Sequence, residues 1–148
     1  MRKPRRTLLV LAALAGLVAS LLTPAAAQAA YYGSETNYAV ATSAPTGADG
    51  VDYFCASHTY VIVCVMPYGD KIYVADLKKD DHAAVAEWMV ETEPDPSIRS
   101  GSCVSKLGGG TWGLCNKNFP ENRTAYVRGA RYNSGNLVDR GLSRELTT

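Results

Sequence analysis

His58 and His82 are the two histidines of the chain and its obvious acid–base candidates. His82 follows Asp80 and Asp81, so a carboxylate to orient the imidazole is near in sequence. General acid–base catalysis also needs a nucleophile or a held water within hydrogen-bond reach. Close neighbours in sequence rarely point the right way for this, and no nucleophile is marked. No G-x-S-x-G, H-E-x-x-H or phosphate-loop pattern occurs. His82 is therefore expected to be a solvated loop residue, and His58, beside Ser57, a surface turn residue. A small hydrolase using His82 is the third functional reading. Asp49…Asp52 and Asp76…Asp80-Asp81 offer carboxylates for calcium, without the ligand spacing of a calcium loop. Surface charge is the expected role there, and neither a metal nor a cofactor is expected.

Binding chemistry is better represented. The chain has nine tyrosines and two tryptophans. Aromatic rings stack on sugar faces and fill protein pockets, although tyrosine is also simply a good strand residue. Tyr68, at a turn tip, and Trp112, beside a glycine run, are the aromatic binding candidates. A different chemistry is suggested by Pro94–Gly101, which is flanked by prolines and runs into Cys103. A rigid exposed loop of this kind can occupy a protease cleft, because its entropy is already spent. Ile98 or Arg99 would then be the anchor in the specificity pocket.

In size, secretion and four cysteines, the chain is similar to the bacterial subtilisin-inhibitor family. Cys64-Val65-Met66-Pro67-Tyr68 resembles that family's reactive stretch in composition. The resemblance implies peptidase inhibition. Residue order and cysteine spacing differ from the family's, and membership does not follow.

These side chains need a scaffold, and the cysteines define part of it. Cys55, Cys64, Cys103 and Cys115 are an even set in a small secreted chain, which implies two disulfides. Their gaps are too wide for a zinc site. Of the three possible pairings, the local one, Cys55–Cys64 with Cys103–Cys115, is favoured. If Gly108-Gly109-Gly110 is a hairpin loop, Cys103 falls opposite Cys115 at a separation a disulfide accepts. The Cys55–Cys64 bridge has less behind it, since Ser57-His58-Thr59-Tyr60 is poor turn chemistry.

Strand patterns fill the rest. Residues 60–66 are apolar and β-branched, as in a strand buried on both faces. Pro67-Tyr68-Gly69-Asp70 signals a turn, with proline at its first central position and residues 71–76 returning. Residues 82–91 carry both a helical and a strand pattern, and the alternation of Ala84, Ala86, Trp88 and Val90 favours the strand. Residues 124–132 and 136–138 are further strands, and the last residues look loose. The expected fold is all-β: a small antiparallel sandwich or barrel of six to eight short strands, stapled by two disulfides.

Residues 1–29 have the pattern of a secretory signal: Arg2, Lys3, Arg5 and Arg6, an uncharged run over 8–22, then Ala27-Gln28-Ala29. Residues 30–50 are expected to be a flexible lead-in and residues 51–148 a single β domain. Cleavage before Ala30 leaves 11 Lys+Arg and 14 Asp+Glu, a net charge of −3. That argues against a nucleic-acid partner, which would call for a basic excess. No membrane contact is expected after cleavage. The charge is lopsided, −8 over residues 31–95 and +5 over residues 96–148. Mutual neutralisation across a sheet explains this more simply than two opposed faces. The leading expectation is a secreted, extracellular, non-catalytic binding domain for a protein or polysaccharide. The alternative is a peptidase inhibitor using the Pro94–Gly101 loop.

Overall fold

A computed structural model describes residues 30–92 and 97–148. The expected signal, residues 1–29, and Pro94 and Pro96 lie outside the described residues. Eleven strands are present among those described, more than the six to eight expected. They are β1 (Glu35–Tyr38), β2 (Val40–Thr42), β3 (Phe54–Ser57), β4 (Val61–Met66), β5 (Lys71–Asp76) and β6 (Ala83–Thr92). Then come β7 (Ser97–Ser105), β8 (Thr111–Asn116), β9 (Thr124–Asn133), β10 (Asn136–Arg140) and β11 (Arg144–Thr147).

The strands form two sheets in a sandwich-like arrangement. One has the order β1-β7-β6-β9-β10, with β11 also on β9, and the other β2-β8-β5-β4-β3. All ladders are antiparallel except β1 on β7.

Alternation sets the core. Val61, Val63 and Val65 of β4, with Ile72 and Val74 of β5, face Ala84, Ala86, Trp88 and Val90 of β6. Residues 82–91 thus resolve as strand: alanine's helix propensity is overridden when β6 becomes the central strand between β7 and β9. The run expected to be buried on both faces is fully buried only on one. Ile62 and Met66 are half-buried on the outer side of the second sheet.

Residues 30–50 are not a loose lead-in. Ser34 N–H donates to Ser100 O at 3.1 Å, and Ser102 Oγ donates to Tyr32 O at 2.8 Å. The chain then lays β1 along β7, switches sheet at Ala39, and lays β2 along β8. One strap therefore supplies the edge strand of both sheets on that side. Gly113 makes the crossing possible: a Cβ there would lie 2.6 Å from the Ala39 Cβ. The sequence signal was weak because the strap is Ala- and Thr-rich and its two strands are short.

The disulfides pair as expected, Cys55–Cys64 and Cys103–Cys115. The hairpin argued for the second pair is absent. β7 and β8 lie in different sheets, and the Gly-rich loop arches between layers. The glycines serve close approach instead. Gly110 N–H donates to Asp76 O at 2.7 Å, and a Cβ on Gly109 would lie 2.6 Å from the backbone of Lys78 and Lys79. The opposite-residue geometry belongs to the other bridge, where Cys55 and Cys64 are ladder partners with Cα atoms 4.0 Å apart.

Two smaller corrections concern turns and termini. Asp70 N–H donates to Pro67 O at 3.1 Å, so Tyr68 and Gly69, not Pro67, are the central residues of that turn. The last residues form β11 on β9, and Thr148 N–H donates to Arg123 O at 3.0 Å.

Candidate binding cleft

An open cleft of about 670 Å³ lies at one end of the sandwich. Three features build it: the loop from Asp76 to Ala83, the glycine arch at 106–109, and the Tyr31–Tyr132 aromatic pair. The backbone contacts of Gly109 and Gly110 join the two loops, so the cleft exists before any ligand arrives.

Beneath it runs a network of fixed charges. Asp76 is buried, which raises its pKa, and it accepts the Lys78 N–H at 2.9 Å. Asp80 lies 2.7 Å from Arg131 and 3.0 Å from His82 Nδ1. Burial pushes the Asp80 carboxyl upward, but His82 and Arg131 outweigh it and hold it below the usual carboxylate range. Arg131 also binds Asp139, lowering that carboxyl, and lies over the Tyr60 ring at 4.5 Å.

His82 is therefore not a freely solvated loop residue. Asp80 and His82 do meet, but Asp80's charge is already shared with Arg131. His82 Nδ1 faces Asp80 at 3.0 Å, whereas His58 Nδ1 is buried without a hydrogen-bond partner. His58 lies 3.9 Å from Asp139, at the far end of the same ionic chain.

The aromatic wall is fixed from behind. Tyr31 packs on Tyr132 at 5.0 Å between ring centres and edge-on to Tyr38 at 6.5 Å. Tyr132 O–H donates to Glu87 at 2.5 Å, and burial, then Glu87, pushes its phenol up to about 12. Glu87 is itself buried and also accepts from Arg128 at 2.6 Å and Arg140 at 3.0 Å. Glu87 lies on the face of β6 away from Trp88 and Val90, and that face is itself buried around Val85 and Tyr132. Tyr32, whose ring lies 5.2 Å from the Arg128 guanidinium, helps to cover that face.

The lopsided charge is resolved by pairing between the two parts of the chain. Glu35–Arg99, Glu87–Arg128, Asp80–Arg131 and Asp49–Arg144 each join the acidic part to the basic part. Among the described cations, Lys71, Lys79 and Lys106 make no ion pair, and two of these three line the cleft. Lys106 Nζ lies over the Tyr38 and Tyr31 rings at 5.0 and 5.9 Å.

The residues singled out in the sequence lie elsewhere. Tyr68 projects from the β4–β5 turn, 94% exposed, beside a shallower hollow of about 510 Å³. Trp112 is half-buried on the outer face of the second sheet, opposite Ala75 and Thr42. Ile98 and Arg99 are not in a loop, because β7 begins at Ser97 and pairs them with Glu91 and Val90. Arg99 Nε is 2.5 Å from Glu35, Nη1 donates to Asn118 O at 2.6 Å, and the guanidinium lies 5.6 Å from the Trp88 ring. An arginine held in this way does not enter a protease pocket without breaking the ion pair. Of the calcium candidates, Asp49 is paired with Arg144, and Asp52 accepts the Ala48 N–H at 2.7 Å.

Tyr31, Tyr132, Lys79 and Lys106 were not singled out, because their convergence depends on which loops meet. The one local signal was the glycine run after Lys106. Comparison with protein families, curated proteins and solved structures finds no significant match for this chain.

Proposed function

We propose that this chain is a secreted, non-catalytic binding domain that takes an extracellular ligand in the cleft between the 76–83 loop and the glycine arch. The observation carrying this reading is the preformed cleft itself. Its loops are joined backbone to backbone, its aromatic wall is packed, and two of its three lysines lack acidic partners. Concave sites with a few convergent polar groups are where small ligands and chain segments bind. Two disulfides are consistent with an oxidising compartment, and the pattern of residues 1–29 supports export.

The test has two arms. Protein collected from the culture medium is expected to begin at Ala30 by intact mass, and an intracellular product retaining residues 1–29 would sink the export claim. Immobilised mature protein is then screened against cell-wall glycans and surface-protein extracts beside a Tyr31→Ala variant. Capture that depends on Tyr31 supports the cleft, and equal capture by both proteins moves the site elsewhere.

A further inference from the structure

We infer that the ligand of the cleft is an acidic polysaccharide, one bearing a carboxylate or sulfate on its sugar rings. This inference rests on the cleft being the binding site. It adds the chemical class, and that class follows from which charges are already used.

The arginines of the two sheets are committed to internal carboxylates, as are Lys78 and Lys117. Lys79 and Lys106 are not, and they stand on the two facing loops of one cleft. A cation left without a partner on a preorganised wall keeps its full attraction for an incoming anion. Two such cations from two loops fit an anionic group held between them. Asp80, one of the carboxylates lining the cleft, is drawn away by Arg131. Asp81 remains exposed on the same rim, where it can accept a hydroxyl.

The neighbouring groups favour a sugar over an acidic peptide. Tyr31 lines the cleft and is braced by two further rings, a rigid apolar surface on which a pyranose can stack. Asp81, Ser134 and the backbone of Gly108 and Gly109 supply acceptors and donors for hydroxyls. Asp76 is paired on both sides and Ala83 is paired with Tyr132, so these strand ends offer a peptide little free ladder to extend. With a net charge of −3 after signal removal, the protein as a whole does not attract a polyanion. Binding must therefore come from the local site.

The experiment measures affinity of the mature chain, disulfides intact, for polygalacturonate, the neutral glucan laminarin and poly-glutamate by isothermal titration calorimetry. The variants are Lys79→Ala/Lys106→Ala, the charge-keeping Lys79→Arg/Lys106→Arg, Tyr31→Ala, and Lys71→Ala for an unpaired lysine outside the cleft. The expected result is binding to polygalacturonate that weakens with salt and falls about tenfold or more in the double alanine variant. It survives in the double arginine variant and changes less than about twofold in Lys71→Ala. Equal binding of laminarin, unaffected by the lysines but lost in Tyr31→Ala, overturns the acidic class and leaves the cleft standing. Preference for poly-glutamate overturns the polysaccharide. An equal loss in Lys71→Ala shows diffuse attraction and overturns the site. Binding to none of the three overturns both this inference and the cleft as a glycan site.

Discussion

Cys103 of β7 and Cys115 of β8 belong to different sheets, and their disulfide ties the two layers together across a Cα separation of 5.9 Å. Cys55 and Cys64 instead join neighbours already paired in one ladder. The closed loops are similar, with sequence separations of 12 and 9. Chain entropy alone therefore stabilises each by roughly 3 kcal/mol. The difference lies in what remains after removal. The β3–β4 ladder persists without its bridge, whereas β7 and β8 share no ladder. Cys103→Ala/Cys115→Ala is expected to cost more than Cys55→Ala/Cys64→Ala in chemical denaturation. Equal losses would show that the interlayer position adds nothing.

Glu87 gives an asymmetric prediction. Its carboxylate is 1% exposed, while the side chains of Arg128 and Arg140 are 25% and 35% exposed. In Glu87→Gln the arginines can turn toward water, and the cost is about 1–2 kcal/mol. In Arg128→Met/Arg140→Met the carboxylate stays under Tyr132 without a cation, and the cost rises to about 3–5 kcal/mol. Thermal unfolding of both variants at pH 7 decides this, and the reverse order would refute the asymmetry.

What could be read from the chain follows the range of the interactions. The β4–β5 hairpin was legible because a proline–glycine turn and two apolar runs lie within residues 61–76. The cysteine pairing was legible from spacing, but for Cys103 and Cys115 the hairpin argument reached the right pair through the wrong geometry. Glycine allows close approach as well as reversal, and only the neighbouring loop at Lys78–Lys79 decides between them. The placement of Arg99 in a strand was illegible for a similar reason. Its partner Glu35 is 64 residues away, on a strap whose composition resembles a linker. The cleft is non-local throughout, since Tyr31, Lys79, Lys106 and Tyr132 come from four parts of the chain.

Tyr132 provides a test at high pH. Burial first, then the Glu87 carboxylate, raises its phenol from 10.0 to about 12. A group whose folded-state pKa is raised stabilises the protein below its unfolded value and loses that contribution as pH rises through the folded value. Stability from Tyr132 is thus complete below pH 10 and lost between pH 10 and about 12. Absorbance at the phenolate band should show a late step that is missing in Tyr132→Phe. An unchanged titration curve in that variant would show that the late step does not belong to Tyr132.

At the acid end, Glu35 behaves oppositely. The Arg99 guanidinium, helped by Lys117 and opposed by burial, lowers its carboxyl from 4.5 to about 2. A depressed carboxylate stabilises the fold above its unfolded value, and the contribution fades as pH falls through the folded one. The melting-temperature advantage of wild type over Glu35→Gln should be full at pH 7 and shrink between pH 4.5 and about 2. Because Glu35 lies on β1, the variant should also loosen the strap, seen as faster amide exchange at residues 35–38. A pH-independent gap between the two proteins would mean that the ion pair is not its source.

Gly109 and Gly108 separate the shape of the cleft from the stability of its loop. A Cβ on Gly109 would lie 2.6 Å from Lys78 C and Lys79 N, both backbone atoms that cannot move aside alone. A Cβ on Gly108 meets nothing within 4 Å, although its φ of +91° makes a side chain unwelcome. Gly109→Ala must therefore push the arch away from the 77–82 loop, at a cost of about 1–3 kcal/mol. Gly108→Ala strains only its own backbone, by about 1–2 kcal/mol. The two variants are thus similar in stability and opposite in cleft geometry. Gly109→Ala should lose ligand affinity while Gly108→Ala keeps it, because only the former separates Lys79 from Lys106. If both lose affinity in proportion to their melting temperatures, the spacing of the two loops is not what the ligand reads.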